Sequence, residues 1–157
     1  MKRLLILITL LSAFTGLFAQ TPETPSATTL ESSFDFASYT VAAPAGLIAA
    51  APSNNMYNAA IPGKGFSIMA LVSKANPKNL ERLAENGAKS AGIVKPELKA
   101  LDLSDGISGY TASARKNNRI VTFALMHQGS TLITLLVLEP ESLTPAGPAI
   151  VSSLKQR

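Results

Sequence analysis

Arg115, Lys116 and Arg119 stand together in the stretch ARKNNR, the one concentrated charge feature outside the first residues of this 157-residue sequence. Three cations at one turn are suited to carboxylate or phosphate groups, so the stretch is a candidate contact for an acidic partner or an anionic surface. The plainer reading is a solvated hairpin tip whose charges also guard a sheet edge. Tyr57, in the turn-rich stretch 52–65, is a second candidate contact, because binding residues concentrate on loops. Its plainer reading is an apolar pin that tucks back onto the core.

Reactive chemistry finds little support. His127 is the only histidine, and a Ser-His-Asp arrangement would have to recruit Ser130 and Asp105. No nucleophile-elbow pattern surrounds a serine, and three residue types are not a geometry, so an exposed turn histidine is the expectation. Asp102 and Asp105 beside Gly106 lack the alternating oxygen ligands and closing Glu of a calcium loop. Glu81 and Glu85 lie one helical turn apart on a polar face, a solvated arrangement rather than an acid–base pair. Gly63-Lys64-Gly65 lacks the rest of a phosphate-binding loop and precedes a strand instead of a helix. With no cysteine, disulfides and thiolate chemistry are excluded. The reading is a chain without catalysis, metal or cofactor.

Lys2 and Arg3 precede an apolar run from Leu4 to Phe18, and Ala19 is a small residue at the cleavage edge. Residues 1–19 therefore read as a secretory signal peptide, with an uncleaved N-terminal anchor as the alternative. The run is short for a membrane span of about 20 residues, so no stable span is expected after cleavage. Without Lys2 and Arg3 the basic residues fall from 14 to 12 against 10 acids, so the net charge drops to about +2. With no basic stripe interleaved with aromatics, nucleic acid is not an expected partner. The expected location is periplasmic or extracellular. About 138 residues then remain, enough for one core that buries roughly two-thirds of the unfolded surface.

The elements that must carry these residues follow from pattern. Residues 20–33 are rich in Pro, Thr and Ser and read as a disordered tether, so the domain spans 34–157. Residues 36–43 read as a first strand ended by Pro44, and 45–51 as a short strand or one helical turn. Residues 52–65 read as loop, and 66–74 as a strand covered on both faces. A helix should start with Asn76 as N-cap and Pro77 in its first turn. Its inner stripe is Leu80, Leu83, Ala84, Gly87, Ala88 and Ala91, with Glu85 and Lys89 paired outside and Gly92 as the left-handed stop.

Residues 97–103 read as a weaker strand and 104–106 as a turn. Strands at 107–115, 119–127 and 131–138 follow, with tips at 116–118 and 127–129. The second tip is read as a three-residue loop that sets Phe123 against Ile133. A Gln-Gly loop would set it against Thr134. Residues 144–157 supply a closing helix, with Lys155 and Arg157 complementing its dipole. Ile120, Ala124 and Met126 form a second apolar face, which is either covered or open as a groove for a small apolar ligand. Together these make an α+β domain: an antiparallel sheet of five to six strands with two helices packed on it.

The order of elements resembles the PsbP-like fold group, which includes PsbP subunits, DcrB-type periplasmic proteins and Ran-binding Mog proteins. The resemblance rests on Ser38-Tyr39-Thr40-Val41-Ala42-Ala43-Pro44-Ala45-Gly46-Leu47, a strand running into a Pro-x-Gly turn. It also rests on Asp105-Gly106-Ile107-Ser108-Gly109-Tyr110, the glycine entry to the meander, and on Ile150-Val151-Ser152-Ser153-Leu154-Lys155, the final helix. Leu47 departs from the aromatic that often follows the turn. The resemblance covers about 34–157 and carries over no catalytic residue. It implies a non-catalytic binding or accessory role, with an envelope or secreted protein as the expected partner and a small apolar ligand as the alternative.

Overall fold

Asn54-Asn55 and Asn117-Asn118 are two pairs of consecutive residues in the left-handed region, with φ of 50° and 60° in each pair. Two such residues in a row form the tight turn whose twist suits a β-hairpin. The structure is a computed structural model and describes residues 28–141 and 145–157. The signal-peptide stretch 1–19 and tether residues 20–27 lie outside the described residues, as does Thr144 at the start of the predicted closing helix.

Ten strands are present among the described residues. They are β1 (Ser32–Phe36), β2 (Tyr39–Ala43), β3 (Ile48–Ala49), β4 (Met56–Ile61) and β5 (Phe66–Lys74), then β6 (Lys99–Asp102), β7 (Ser108–Lys116), β8 (Arg119–Gln128), β9 (Thr131–Pro140) and β10 (Lys155–Gln156). Seven form one antiparallel sheet in the order β3-β4-β5-β9-β8-β7-β6, and three form a small sheet in the order β1-β2-β10. The α+β class holds, but the expected five to six strands fall short, for local reasons. Ala37, with φ of 48°, turns the chain at the start of the stretch read as a strand: β2 keeps 39–43, and β1 reaches back to Ser32 and Ser33, which were read as tether. The Asn54-Asn55 turn makes β4 out of residues read as loop. β10 occupies the end of the expected closing helix, so Lys155 and Arg157 do not serve a helix dipole; Arg157 instead pairs with Asp35 at 2.9 Å.

The central meander is in place, with a different register. Gln128 pairs with Thr131 and Phe123 with Leu136, so the loop is Gly129-Ser130 and neither expected register occurs. Gly129, with φ of 56°, stands first in this two-residue loop, the position where a type II′ turn demands glycine.

Both faces of β7 and β8 are covered. Helix α1 (Leu80–Ser90) lies over β7 and β8. It starts later than expected: Asn79, not Asn76, is the N-cap, and its Oδ1 accepts the Arg82 N–H at 2.9 Å. Ala84, Ala88, Val121, Phe123 and Leu125 share the core on this side. Gly92 takes the left-handed φ of 94° expected of the stop, and Lys89 pairs with Glu85 at 2.6 Å.

The opposite face carries Ile120, Ala124 and Met126, all buried. Here the β1–β2 hairpin and the six-residue helix α2 (Gly147–Ser152) close over the sheet through Phe36, Val41, Ile150, Val151 and Leu154. An open groove for a small apolar ligand at Ile120, Ala124 and Met126 is thereby overturned. None of the helices among the described residues is long and apolar enough to cross a membrane.

Candidate binding surface

The β7–β8 hairpin brings the three candidate cations to one tip and then divides them. Lys116 pairs with Arg119 across the Asn117-Asn118 turn, while Arg115 pairs with Ile120. Side chains alternate across a strand, so Lys116 and Arg119 share the α1 face and Arg115 lies on the opposite one. Arg115 Nη1 donates to Glu141 Oε1 at 2.6 Å, both groups about half exposed. Such an exposed pair is worth at most about 1 kcal/mol, so it orients the arginine more than it holds the fold.

Lys116 has a neighbour of another kind. A Cβ built on Gly92 would stand 2.9 Å from Lys116 Nζ, so the ammonium lies against the residue that ends α1. A cation there complements the partial negative charge of the helix C-terminus, an effect of about 0.3–1 kcal/mol. Arg119 is half-buried and has no acidic partner among the described residues. Lys64 lies in the turn between β4 and β5, at the same end of the sheet, because Phe66 and Ser67 align with Ile61 and Leu138 there.

Tyr57 is not part of this tip. It lies on β4 in a row running through Ala70, Leu135, Ala124 and Thr111, four residues along β7 from Arg115. Its ring packs 6.2 Å from that of Phe36 against the core between the two sheets. The pinning reading of Tyr57 therefore describes its surroundings, although the pin sits on a strand and not a loop.

His127 Nε2 lies 3.0 Å from Ser108 Oγ, not in a pair with Ser130. Asp102, Ser108 and His127 form one cross-strand row with the serine in the middle. A triad needs the histidine in the middle, oriented by a carboxylate behind it. Among the described residues no carboxylate bonds the imidazole, and the Asp105 carboxylate is engaged by Ser104 and the Gln156 backbone N–H at 3.3 Å each. No group of three or more His, Cys, Asp and Glu residues that could hold a metal occurs among the described residues.

One polar group that pattern reasoning missed is Glu139, which is buried, with 1% of its surface exposed. Its carboxylate accepts from Ala146 N–H at 2.9 Å and Gly147 N–H at 3.0 Å, capping α2. Burial pushes its pKa above the ordinary carboxylate value, with the two N–H bonds opposing. The signal was a lone acid in the apolar run LLVLEP, inward by strand alternation from Val137.

No protein-family model matches this sequence, and no curated protein matches it. Solved structures do. The cyanobacterial PsbP (CyanoP) from Synechocystis sp. PCC 6803 is similar over 86% of this chain and 98% of its own, with a TM-score of 0.57 at 15% identity. A protein from Bacteroides thetaiotaomicron VPI-5482 is similar over 82% of this chain, with a TM-score of 0.52 at 9% identity, and this chain spans about half (49%) of that one. The Saccharomyces cerevisiae Ran-binding protein Mog1p matches over 76% of this chain and 90% of its own, with a TM-score of 0.48 at 12% identity. At such identities the likeness is one of architecture: the chain has the PsbP-like fold.

Proposed function

We propose that the chain is an exported, non-catalytic accessory module of the cell envelope that docks an acidic partner protein through the β7–β8 tip. The observation that carries this reading is the pairing of Lys116 and Arg119 on one face of a tip held by two consecutive left-handed asparagines. The tip presents its charge preorganised, which lowers the cost of ordering on binding. Arg115, on the other face, is neutralised by Glu141 and leaves Lys116 and Arg119 as the tip's net positive charge.

The test is capture from envelope extract with the full chain, beside Lys116→Glu/Arg119→Glu. A saturable partner, lost in the double variant and weakened as salt rises, is the expected result. Equal capture by both baits would set the tip aside as a contact.

A further inference from the structure

We infer that the part of the α1 face left open over β3, β4, β5 and β9 takes an amphipathic helix of a partner protein, with acidic residues at the end beside Arg119. The inference rests on the reading of this chain as a binding module and extends it from the tip onto the sheet.

Alternation along each strand defines the floor. Ile48, Ala60, Ser67 and Leu138 form one row, and Asn58, Met69 and Leu136 the next, all on the face that α1 occupies. Helix α1 packs chiefly over β7 and β8, and Met69 and Leu136 border the core it closes. Met69 and Leu136 are buried, Leu71, Ser67 and Leu138 are half-buried, and Ile48 is 63% exposed. No charged residue lies on this face of β3, β4, β5 or β9.

The dimensions suit a helix. From β9 to β3 the floor crosses three strand spacings, roughly 14 Å at about 4.8 Å each. A helix about 10 Å across, lying 8–10 Å from α1, fills that width. An enclosed small molecule does not fit. The depression lined by Asn58, Ser67, Met69, Leu136 and Leu138 has room for about one water, far below a ligand pocket.

One feature gives the occupant its chemistry. Arg119 pairs with Pro140, two residues beyond Leu138, so it closes one end of the floor on the same face. An apolar floor with a cation at one end is complementary to an apolar helix with acids at one end.

The probe is a synthetic amphipathic peptide of about 18 residues with a leucine stripe and glutamates in its first turns, read by fluorescence anisotropy against the full chain. Its controls are a scrambled peptide and one with lysines replacing the glutamates. Ile48→Asp and Ser67→Glu lie at the surface and leave the core intact.

The expected result is binding with gain of helicity, each variant weakening it at least about tenfold, and Arg119→Glu shifting preference to the lysine peptide. Equal binding of the scrambled peptide, or wild-type affinity in both variants, would overturn the inference. Self-association of the full chain abolished by Ile48→Asp would assign the floor to a second copy. A photo-crosslink from position 48 to residues 1–27 would assign it to the chain's own N-terminal segment, and either result overturns the helix of a partner. If Ile48→Asp and Ser67→Glu still capture an envelope partner that Lys116→Glu/Arg119→Glu loses, the tip stands as the contact and the floor does not.

Discussion

Glu139 gives this fold a pH dependence opposite in sign to that of Asp35, whose pKa is lowered by its Thr40 hydrogen bond and Arg157. Its pKa is raised in the folded state, so between the ordinary carboxylate value and the raised one the native chain binds more protons than the unfolded chain. Stability contributed by this group is therefore present at low pH and lost as pH rises through that window. Glu139→Gln removes the slope, while setting an amide N–H against a backbone N–H at a cost of about 1–3 kcal/mol. Urea midpoints measured from acidic to neutral pH should show wild-type stability falling relative to the variant; parallel profiles would refute the assignment. Gly87 poses a contest of magnitudes. Alanine there gains about 1 kcal/mol of helix propensity. Its Cβ, however, would stand 2.4 Å from the Phe123 ring, which is itself buried. Overpacking costs about 1–3 kcal/mol, so Gly87→Ala should lower the melting temperature. The sequence placed Gly87 on the inner stripe of the helix; the ring that requires it lies on β8, beyond any local pattern.

Turns decided which elements were legible. Asn117-Asn118 fall within the tip read at 116–118, and the same Asn-Asn pair at 54–55 makes a hairpin inside a stretch whose prolines and glycines read as loop. The register of β8 and β9 was not legible, because both strands are apolar on both faces and any slip keeps oily residues opposed. Gly129-Ser130 settles it, by placing glycine where positive φ is needed. The start of α1 was misplaced because Asn76 followed by Pro77 reads as a cap, whereas the observed bond goes to Asn79. Among the candidate site residues, the tip cations were legible as a cluster. Their division between two faces required the pairing register. Asn118→Val should test the turn: a β-branched residue at φ of 60° costs about 1–2 kcal/mol, to be read as a shift in the chemical-denaturation midpoint. An unchanged midpoint would mean that the tip relaxes freely.

At the scale of the whole molecule, the cover over Ile120, Ala124 and Met126 is assembled from both ends of the described chain. Ala42 N–H donates to Ser153 Oγ at 2.7 Å across 111 residues, and β10 pairs with β2 through Lys155 and Thr40. Ending the chain after Ser153 removes buried Leu154 and strand β10 together. Loss of the leucine alone should cost about 2–5 kcal/mol, measurable by calorimetry, with near-native stability arguing against this account of the cover.

The same arrangement has a consequence in time. A chain emerging N-terminus first makes β1 and β2 early, but their partners α2 and β10 follow only after the whole seven-stranded sheet has been made. Until then the hairpin has nothing to close against, and the seven-stranded sheet has one oily face bare. The cover latches only when residues 147–156 reach β2 and the sheet, so closing this face is a late, long-range step of folding.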